Sequence, residues 1–311
     1  MENRSLKSLT MNNINKLGAI DIGSNAVRLL IASVTKNKKE TRFKKISLVR
    51  VPLRLGKDVF SKGRISLENI KKLQKTIRSF KILMEMHQVK VFEAVATSAM
   101  REASNSKNII GEINKKFKIK INLISGKNEA MIVANVFLNS NINSTSNYLF
   151  VDVGGGSTEL NLISGKKLLK SKSFKIGTVR MLNDNTSVEN WKKFKNWINE
   201  STNKFNRVII VGSGGNASKI LKIAEKNTFE VITIRELEEI NELVNSMSFH
   251  ERVEKLQLNV DRADVIVPAM NIYLKAMEYS NSEAFLVPRI GLVDGLIRQI
   301  YLNEKQGQKL N

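Results

Sequence analysis

The sequence predicts two α/β domains that face each other across a cleft. A length of 311 residues is enough for two domains of ordinary size. A group of strands followed by alternating helices and strands occurs twice, which is the pattern of two α/β units. Each unit begins with an apolar strand that ends in an aspartate, Asp21 or Asp152, and continues through a glycine and serine turn into a second strand. The two aspartates are 131 positions apart, about the length of one small domain.

The first half is expected to open with three strands and then to alternate strands and helices. Ser66 precedes Glu68 and an apolar stripe whose spacing stacks it on one helical face. The expected elements, in order, are strands at 17–22, 27–34 and 43–50, a loop at 58–63, the helix after Ser66, a strand at 89–96, a helix at 106–117, a strand at 119–124 and a helix at 128–138.

The second half repeats this order. The expected elements are two strands joined by a turn at 148–163, a strand at 167–175, a helix at 188–203, a strand at 208–211, helices at 217–226, 237–246 and 263–277, a strand at 284–287 and a helix at 291–301. A polar, uncharged stretch at 139–147 marks the expected domain boundary. We therefore expect a flexible tail at 1–15, a first domain at 16–140 and a second at 141–311, whose last helix packs back on the first.

The composition excludes several classes of protein. The chain has no cysteine, which rules out disulfides, a zinc finger and a thiol nucleophile. No apolar run reaches membrane-spanning length, and the first residues lack the apolar core of a secretory signal. We therefore expect a cytoplasmic protein with no membrane partner.

The formal net charge of +22 leaves two interpretations open. A strongly basic protein attracts polyanions such as nucleic acid, polyphosphate or anionic lipid. An AT-rich genome would give the same excess, because lysine greatly outnumbers arginine while asparagine and isoleucine are abundant. The lysines are scattered and alternate with apolar residues, so no nucleic-acid-binding arm is expected.

Asp21 and Asp152 are the candidate metal ligands. A carboxylate at the end of a strand lies at the edge of a sheet, where crevices form. Mg²⁺ is a suitable partner, since it takes hard oxygen ligands and keeps waters and substrate phosphates. A single copy would be read as an ordinary turn aspartate that accepts bonds from nearby amides. Two copies in matched contexts favour the metal site.

Three glycine-rich turns are candidate phosphate-binding loops. Glycine lets backbone amides approach an anion closely, and a helix that begins after such a turn presents free N–H groups. The third turn joins a strand to a helix, but no Lys-Ser/Thr pair follows it as a Walker loop requires. The candidate residues are Gly23, Ser24, Asn25, Gly155, Gly156, Ser157, Thr158, Gly212, Ser213, Gly214 and Gly215.

A further loop, which follows the strand at 89–96, contains Thr97, Ser98 and Arg101. The arginine is a candidate phosphate ligand because its planar fork fits a phosphate group. The alternative is a surface ion pair with Glu102.

Glu129 and Glu159 are the candidate catalytic bases. Glu129 begins a helix, and Glu159 lies seven positions after Asp152 on the returning strand. A carboxylate near the phosphate turns could orient and deprotonate a water for in-line attack. Glu129 also fits an ordinary first-turn acid that the helix dipole favours. The residues alone do not rank the two glutamates.

These motifs resemble the exopolyphosphatase and guanosine pentaphosphate phosphatase family over roughly residues 17–300. The most specific segments are Asp-Val-Gly-Gly-Gly-Ser-Thr-Glu at 152–159 and Ala-Thr-Ser-Ala-Met-Arg at 96–101. The resemblance implies two ribonuclease-H-like domains of the actin-like ATPase type with a cleft between them, and magnesium-dependent hydrolysis of a terminal phosphoanhydride. It also implies that Glu129 is the base, that Asp152 and Glu159 belong to the metal and catalytic site, and that Arg101 and the glycine turns cradle phosphate.

The chain departs from the family pattern at Asn128, Asn216 and Val293, where the family often has glutamate, threonine and arginine. In the family pattern an arginine at position 293 would contribute phosphate contacts, and this chain lacks it. The base and the metal aspartate are kept, so an active enzyme is expected.

The leading expectation is release of terminal orthophosphate from inorganic polyphosphate, with Arg54, Lys57, Arg101 and Arg180 as candidate contacts along the polymer. The rivals are hydrolysis of guanosine pentaphosphate, an ATP-dependent kinase of the same superfamily, and a polyanion-binding regulator without catalysis. Neither nucleic acid nor a membrane is an expected partner. By analogy with the family, a homodimer is expected.

Overall fold

The computed structural model describes residues 15–36, 41–140 and 142–307. The expected N-terminal tail lies outside the described residues, except for Asn15, which begins the first strand. The strands are β1 (Asn15–Ile22), β2 (Val27–Lys36), β3 (Thr41–Val51), β4 (Val91–Ala96), β5 (Ile121–Leu123), β6 (Asn147–Val153), β7 (Thr158–Ser164), β8 (Lys167–Phe174), β9 (Ile209–Ser213), β10 (Ile232–Thr233) and β11 (Ala284–Leu286).

The helices alternate with the strands in both halves. They are α1 (Leu55–Lys62), α2 (Leu67–Met86), α3 (Ser98–Glu102), α4 (Ser106–Phe117), α5 (Gly126–Leu138), α6 (Thr178–Leu182), α7 (Val188–Thr202), α8 (Gly214–Ile223), α9 (Ile234–Ser246), α10 (Phe249–Glu254), α11 (Val260–Ala263), α12 (Ile266–Tyr279) and α13 (Leu292–Gly307). Within the described ranges, no helix is both long and apolar enough to cross a bilayer.

The strands form two sheets of the same design. In the first sheet the order is β3-β2-β1-β4-β5, and β1 pairs antiparallel with β2 and parallel with β4. In the second the order is β10-β11-β9-β6-β7-β8, and β6 pairs antiparallel with β7 and parallel with β9. The order from β8 to β11 repeats the order from β3 to β5 strand for strand, and β10 is added at the edge. The two-domain α/β fold expected from the sequence is confirmed.

Strand register places the polar residues of each sheet in one row. In the first sheet Asp21 stands opposite Arg28, and Arg28 stands opposite Arg50. The matching row of the second sheet contains, in order, Ser213, Asp152, Glu159 and Ser173. Residues opposite each other across strands project to the same face of a sheet. Each sheet therefore presents a row of polar groups at the level where its central strand ends.

Two helices cross between the halves. Helix α5 packs against β7 and β8 of the second sheet, and α13 packs against β1, β2 and β4 of the first as well as against α5. The two helices approach closely at Gly295 of α13: a Cβ at this position would lie only 2.3 Å from the Cγ2 atom of Ile132 on α5. A buried apolar cluster of both halves includes Ala19, Phe137 and Phe150. The expected boundary at 140 follows the end of α5 and stays a prediction.

Helix α1 shows that the expected loop at 58–63 is wrong. Val59 and Phe60 are buried in the first core, and Gly63 ends the helix with a φ of 68°. The helix is tied to the next one, because the Asp58 carboxylate accepts hydrogen bonds from the backbone N–H and the hydroxyl of Ser66. A helix of eight residues that is fixed by such contacts leaves little periodic pattern in the sequence.

Other differences concern short helices and helix ends. The sequence pattern does not predict α3, α6, α10 or α11, which have four to six residues each. Helix α8 begins at Gly214 directly after β9, so the third glycine turn is itself the first turn of this helix. Helix α12 begins at Ile266, later than expected.

Candidate active site

A cavity of about 120 Å³ lies between the two sheets, where β1 and β6 end. Both halves of the chain line it. Of the candidate site residues predicted from the sequence, those that line it are Asp21, Gly23, Ser24, Asn25, Thr97, Ser98, Glu129, Asp152, Gly155, Gly156, Ser157, Gly214 and Gly215. The fold therefore brings most of the predicted residues together in one place.

The first two glycine turns have the same geometry. Gly23 N–H donates to the carbonyl of Ala26 at 3.1 Å, and Gly154 N–H donates to the carbonyl of Ser157 at 2.9 Å. The turns also touch, because a Cβ on Gly155 would lie 3.2 Å from the backbone nitrogen of Asn25. Two related turns thus meet across the cavity, one from each half.

The glycines of these turns are required by close packing rather than by backbone angles. A Cβ on Gly156 would lie 2.4 Å from the Cζ atom of Phe60 and 2.4 Å from the hydroxyl of Ser98. The hydroxyl of Ser24 accepts a hydrogen bond from the backbone N–H of Ala99 at 3.1 Å. The turns are therefore fixed against α1 and α3 before any ligand arrives.

The third glycine turn approaches the same cavity through α8. Gly214 has a φ of +82°, a left-handed conformation that favours glycine, and a Cβ there would lie 3.2 Å from Oδ1 of Asp152. Gly215 lies under the guanidinium of Arg262, which a Cβ would strike. Gly212 packs against the ring of Phe285 and lies outside the cavity lining.

Asp21 and Asp152 both line the cavity, one from each half of the chain. Oδ2 of Asp21 accepts a hydrogen bond from Arg28 at 2.7 Å, whereas its buried Oδ1 has no partner. Burial raises the pKa of Asp21, and Arg28 reduces that rise. Burial likewise raises the pKa of Asp152, and Ser213 beside it reduces the rise. A buried carboxylate oxygen without a partner is costly, so the free Oδ1 of Asp21 fits a hard cation.

The described residues contain no group of three or more His, Cys, Asp or Glu side chains that could hold a metal ion. Magnesium is commonly held by one or two carboxylates, several waters and substrate phosphates rather than by a protein cage. The two carboxylates of Asp21 and Asp152 match this type of magnesium coordination.

The two glutamates form a second acidic pair behind the turns. Glu129 lies in the first turn of α5, whose N-cap Ser125 accepts a hydrogen bond from the backbone N–H of Asn128 at 3.1 Å. Oε1 of Glu159 accepts a hydrogen bond from Ser173 Oγ at 2.8 Å. Glu159 is buried and does not line the cavity, whereas Glu129 does.

Burial and a neighbouring carboxylate raise the pKa of each glutamate. Burial, followed by the charge of Glu159, raises the pKa of Glu129 well above its ordinary value, and Arg101 acts against this rise. Burial and the charge of Asp152 raise the pKa of Glu159 to about 7. A carboxyl with a raised pKa in a cavity is a candidate acid or base.

Several predicted residues lie elsewhere. Arg180 is buried and donates to the carbonyl of Gly156 at 2.8 Å and to Glu102 at 2.6 Å, so it supports the second turn from behind rather than facing the cavity. Thr158 is buried and its hydroxyl donates to the carbonyl of Ile176 at 2.7 Å. The remaining positions outside the lining are Arg54, paired with Asp264, Arg101, paired with Glu129, exposed Lys57, and Ser213, buried beside Asp152.

The sequence reasoning missed three arginines that line the cavity, Arg28, Arg50 and Arg262. Arg50 pairs with Asp261. Burial and the charges of Arg50 and Arg28 lower the pKa of Arg262 to about 10. Like charges gathered in a partly buried cavity favour an anionic ligand. The register of the β1–β2 hairpin was the available signal for Arg28, since it places this residue opposite Asp21.

Comparison with known proteins agrees with this architecture. Residues 30–304 match the Ppx/GppA phosphatase family. The bifunctional 3-dehydroquinate synthase/phosphatase of Fusobacterium nucleatum is 30% identical over 294 residues, which cover 86% of this chain and 44% of that protein. The chain thus spans less than half of that relative.

Two further relatives and one solved structure are similar over most of the chain. Exopolyphosphatase 1 of Mycobacterium tuberculosis is 23% identical, with 95% of this chain and 91% of that protein covered. The guanosine-5'-triphosphate,3'-diphosphate pyrophosphatase of Vibrio cholerae is also 23% identical, with 93% and 60% covered. The crystal structure of an exopolyphosphatase from Cytophaga hutchinsonii has a TM-score of 0.80 at 22% identity, with 92% of this chain and 97% of that chain covered. This likeness shows the fold. The family match extends over most of the sequence, and the chain therefore belongs to the Ppx/GppA phosphatase family.

Proposed function

We propose that this protein hydrolyses the terminal phosphoanhydride bond of inorganic polyphosphate and releases orthophosphate. One observation carries the proposal: two matched glycine turns meet over a cavity lined by buried Asp21, half-buried Asp152 and a glutamate, Glu129, with a raised pKa. Phosphoryl transfer depends mainly on positioning and charge stabilisation. The site supplies both, with backbone amides, hydroxyls and arginines around one small space.

Glu129 is the proposed general base. Its carboxylate accepts a proton from water, the water oxygen attacks the terminal phosphorus, and the bond between that phosphorus and the bridging oxygen breaks. The products are orthophosphate and a polyphosphate shortened by one unit. Burial raises the pKa of Glu129, and a base works best when its pKa lies near the operating pH. Its place in the first turn of α5 fixes its direction.

Glu159 is proposed to act on the reaction through Glu129. It is buried outside the cavity lining, and its charge is the second largest cause of the raised pKa of Glu129. Its hydrogen bond from Ser173 holds it in place. In this role Glu159 tunes the base and does not touch the substrate.

Asp21 and Asp152 are proposed to hold Mg²⁺ together with waters and phosphate oxygens. When bound, the ion would neutralise charge on the phosphates in the transition state. The unpartnered Oδ1 of Asp21 supports this assignment.

The preference for polyphosphate over a nucleotide rests on the cavity lining. No aromatic side chain is found among the described residues that line the cavity, although a flat ring is a common platform for a nucleobase. The lining instead contains Arg28, Arg50 and Arg262. Guanosine pentaphosphate is the alternative substrate, supported by the likeness to the Vibrio cholerae enzyme.

The test is orthophosphate release, with magnesium, from long-chain polyphosphate, guanosine pentaphosphate and ATP side by side. Faster release from polyphosphate than from the other two would support the proposal. Release chiefly from guanosine pentaphosphate would replace it with the alternative. Binding of polyphosphate without release from any of the three would favour a polyanion-binding regulator.

A further inference from the structure

The excess of positive charge is not spread evenly along the chain. Residues 16–140 contain 26 lysines and arginines against 9 aspartates and glutamates, whereas residues 141–311 contain 23 against 19. A bias in codon usage acts on both halves of one gene alike. The concentration of charge in the first half therefore calls for a structural reason.

Five of these cations line an open groove between α2 and α4, remote in sequence from the glycine turns. The groove has a volume of about 780 Å³, and its cations are Lys71, Lys75, Arg78, Lys81 and Lys116. We call it the α2–α4 groove. The only acid in its described lining is Glu85.

The cations of α2 form a row. Lys71, Lys75 and Arg78 are spaced by four and three residues, which places them on one face of the helix. With a rise of about 1.5 Å per residue, the row extends over roughly 10 Å. Lys116 of α4 faces the same groove from the other side. A linear anion lying along the groove would thus meet a cation at every turn of the helix.

These cations are not neutralised by the protein. Within residues 15–36, 41–140 and 142–307, no carboxylate forms an ion pair with Lys71, Lys75, Arg78 or Lys116, and Lys81 has only Glu85 at 3.9 Å. Glu112, a nearby acid of α4, accepts a hydrogen bond from Gln74 at 3.0 Å. Exposed cations without a carboxylate partner attract counterions that a polyanion would displace.

We propose that the α2–α4 groove is a second binding site for inorganic polyphosphate, which holds a segment of the polymer away from the end being hydrolysed. The inference rests on the proposed function, since it assigns the same polymer to both sites. The lining suits a plain polyanion better than RNA. Phe117, the aromatic residue of its described lining, is only 8% exposed, whereas binding of single-stranded nucleic acid relies on exposed rings that stack on bases.

Two linked sites have a specific consequence. A chain long enough to reach both binds the second site at a high effective concentration, whereas a short chain reaches only one. The groove therefore raises affinity for long polyphosphate and leaves hydrolysis of tripolyphosphate unchanged.

The experiment uses the full chain with three groove substitutions together, Lys71→Gln, Lys75→Gln and Arg78→Gln. All three residues are exposed on α2, and glutamine is a good helix former, so folding is expected to be kept. The matched control removes the same charge from the second half through Lys166→Gln, Lys192→Gln and Lys193→Gln, which are also exposed. Binding of labelled long-chain polyphosphate is measured with a chelator present, so that no turnover is needed.

The groove variant is expected to bind long-chain polyphosphate about tenfold more weakly than the control, and the slope of log Kd against log salt should fall by about 2. Equal binding by both variants, or equal loss in both, would overturn the groove as a site. A groove that prefers single-stranded RNA to polyphosphate would overturn the assigned polymer. Selective loss of binding in a protein that releases no orthophosphate would uphold the groove and refute the proposed hydrolysis.

Discussion

Nη1 of Arg101 lies 3.1 Å from Oε2 of Glu129, and the same nitrogen donates to the carbonyl of Ile124 at 2.8 Å. The arginine expected from the sequence to hold phosphate is thus tied to the proposed base. It keeps the Glu129 carboxylate facing the cavity and partly offsets the effect of burial on its pKa. A phosphate that drew Arg101 away would also change the environment of the base.

Glu129→Gln tests the base directly. Glutamine keeps the size of the side chain but cannot accept a proton from water, so kcat for polyphosphate should fall by about 10²–10⁴-fold. Binding of polyphosphate should remain. The measurement is steady-state orthophosphate release together with equilibrium binding, and Glu112→Gln on the surface of α4 serves as control. Unchanged turnover in the Glu129 variant would remove this residue from the mechanism.

Arg101→Gln tests the coupling between the arginine and the base. Because Arg101 lowers the pKa of Glu129, its loss should raise that pKa further. The base must be ionised to act, so the acid limb of the kcat/KM profile should move to higher pH. A pH profile of the variant beside that of wild type gives the answer. If the limb stays in place, Arg101 does not influence the proton acceptor.

The raised pKa of Glu159 predicts that the stability of the metal-free protein depends on pH. Its pKa is raised from 4.5 to about 7 by burial and by Asp152, so across that window the folded state holds a proton that the unfolded state has lost. The free energy of unfolding should therefore fall as the pH rises from about 4.5 to about 7 and level off above.

Chemical denaturation at a series of pH values, with a chelator present, measures this effect. Glu159→Gln cannot titrate and should show a shallower fall over the same window. Parallel curves for the variant and the wild type would mean that Glu159 does not carry the raised pKa.

Gly156→Ala tests the meeting of the turns. A Cβ there would strike the ring of Phe60 and the hydroxyl of Ser98, so the variant should lose about 1–3 kcal/mol of unfolding free energy, as overpacked cores do, and should also lose activity. Gly111→Ala is the control, because a Cβ added to this glycine of α4 would meet no atom outside its own helical turn within 4 Å. It should gain roughly 0.5–1 kcal/mol, the usual cost of a helical glycine. Equal stability of the two variants would contradict the close packing described for the turns.

The sequence predicted the parts of the site that lie next to each other along the chain. Asp21 and Asp152 with their turns are local motifs, and the cavity contains them. Residues that lie side by side on different strands can be predicted only when the pairing register is known. The register of β2 and β3 shifts between Ile31 and Ala32, so counting residues from the turn does not place Arg50 opposite Arg28.

Contacts distant in sequence were the other source of error. Arg54 and Arg180 carry the right chemistry for phosphate, but Asp264 and Glu102, which are far away in sequence, hold them. Ion pairs between residues so far apart in the chain leave no pattern in the sequence from which they could be predicted. The assignment of metal, substrate and catalytic residues, the cytoplasmic location and the homodimer remain predictions.

The crossing of α5 and α13 has a consequence for synthesis on the ribosome. The face of β1, β2 and β4 that α13 covers is made early, whereas its cover is made near residue 300. Until then an apolar surface that includes Ala19 and Leu30 lacks the helix that packs on it, and nascent chains with such surfaces are prone to aggregate. The first half cannot complete its core until α13 has been made, so chaperone binding to the nascent chain should persist until that helix emerges from the ribosome.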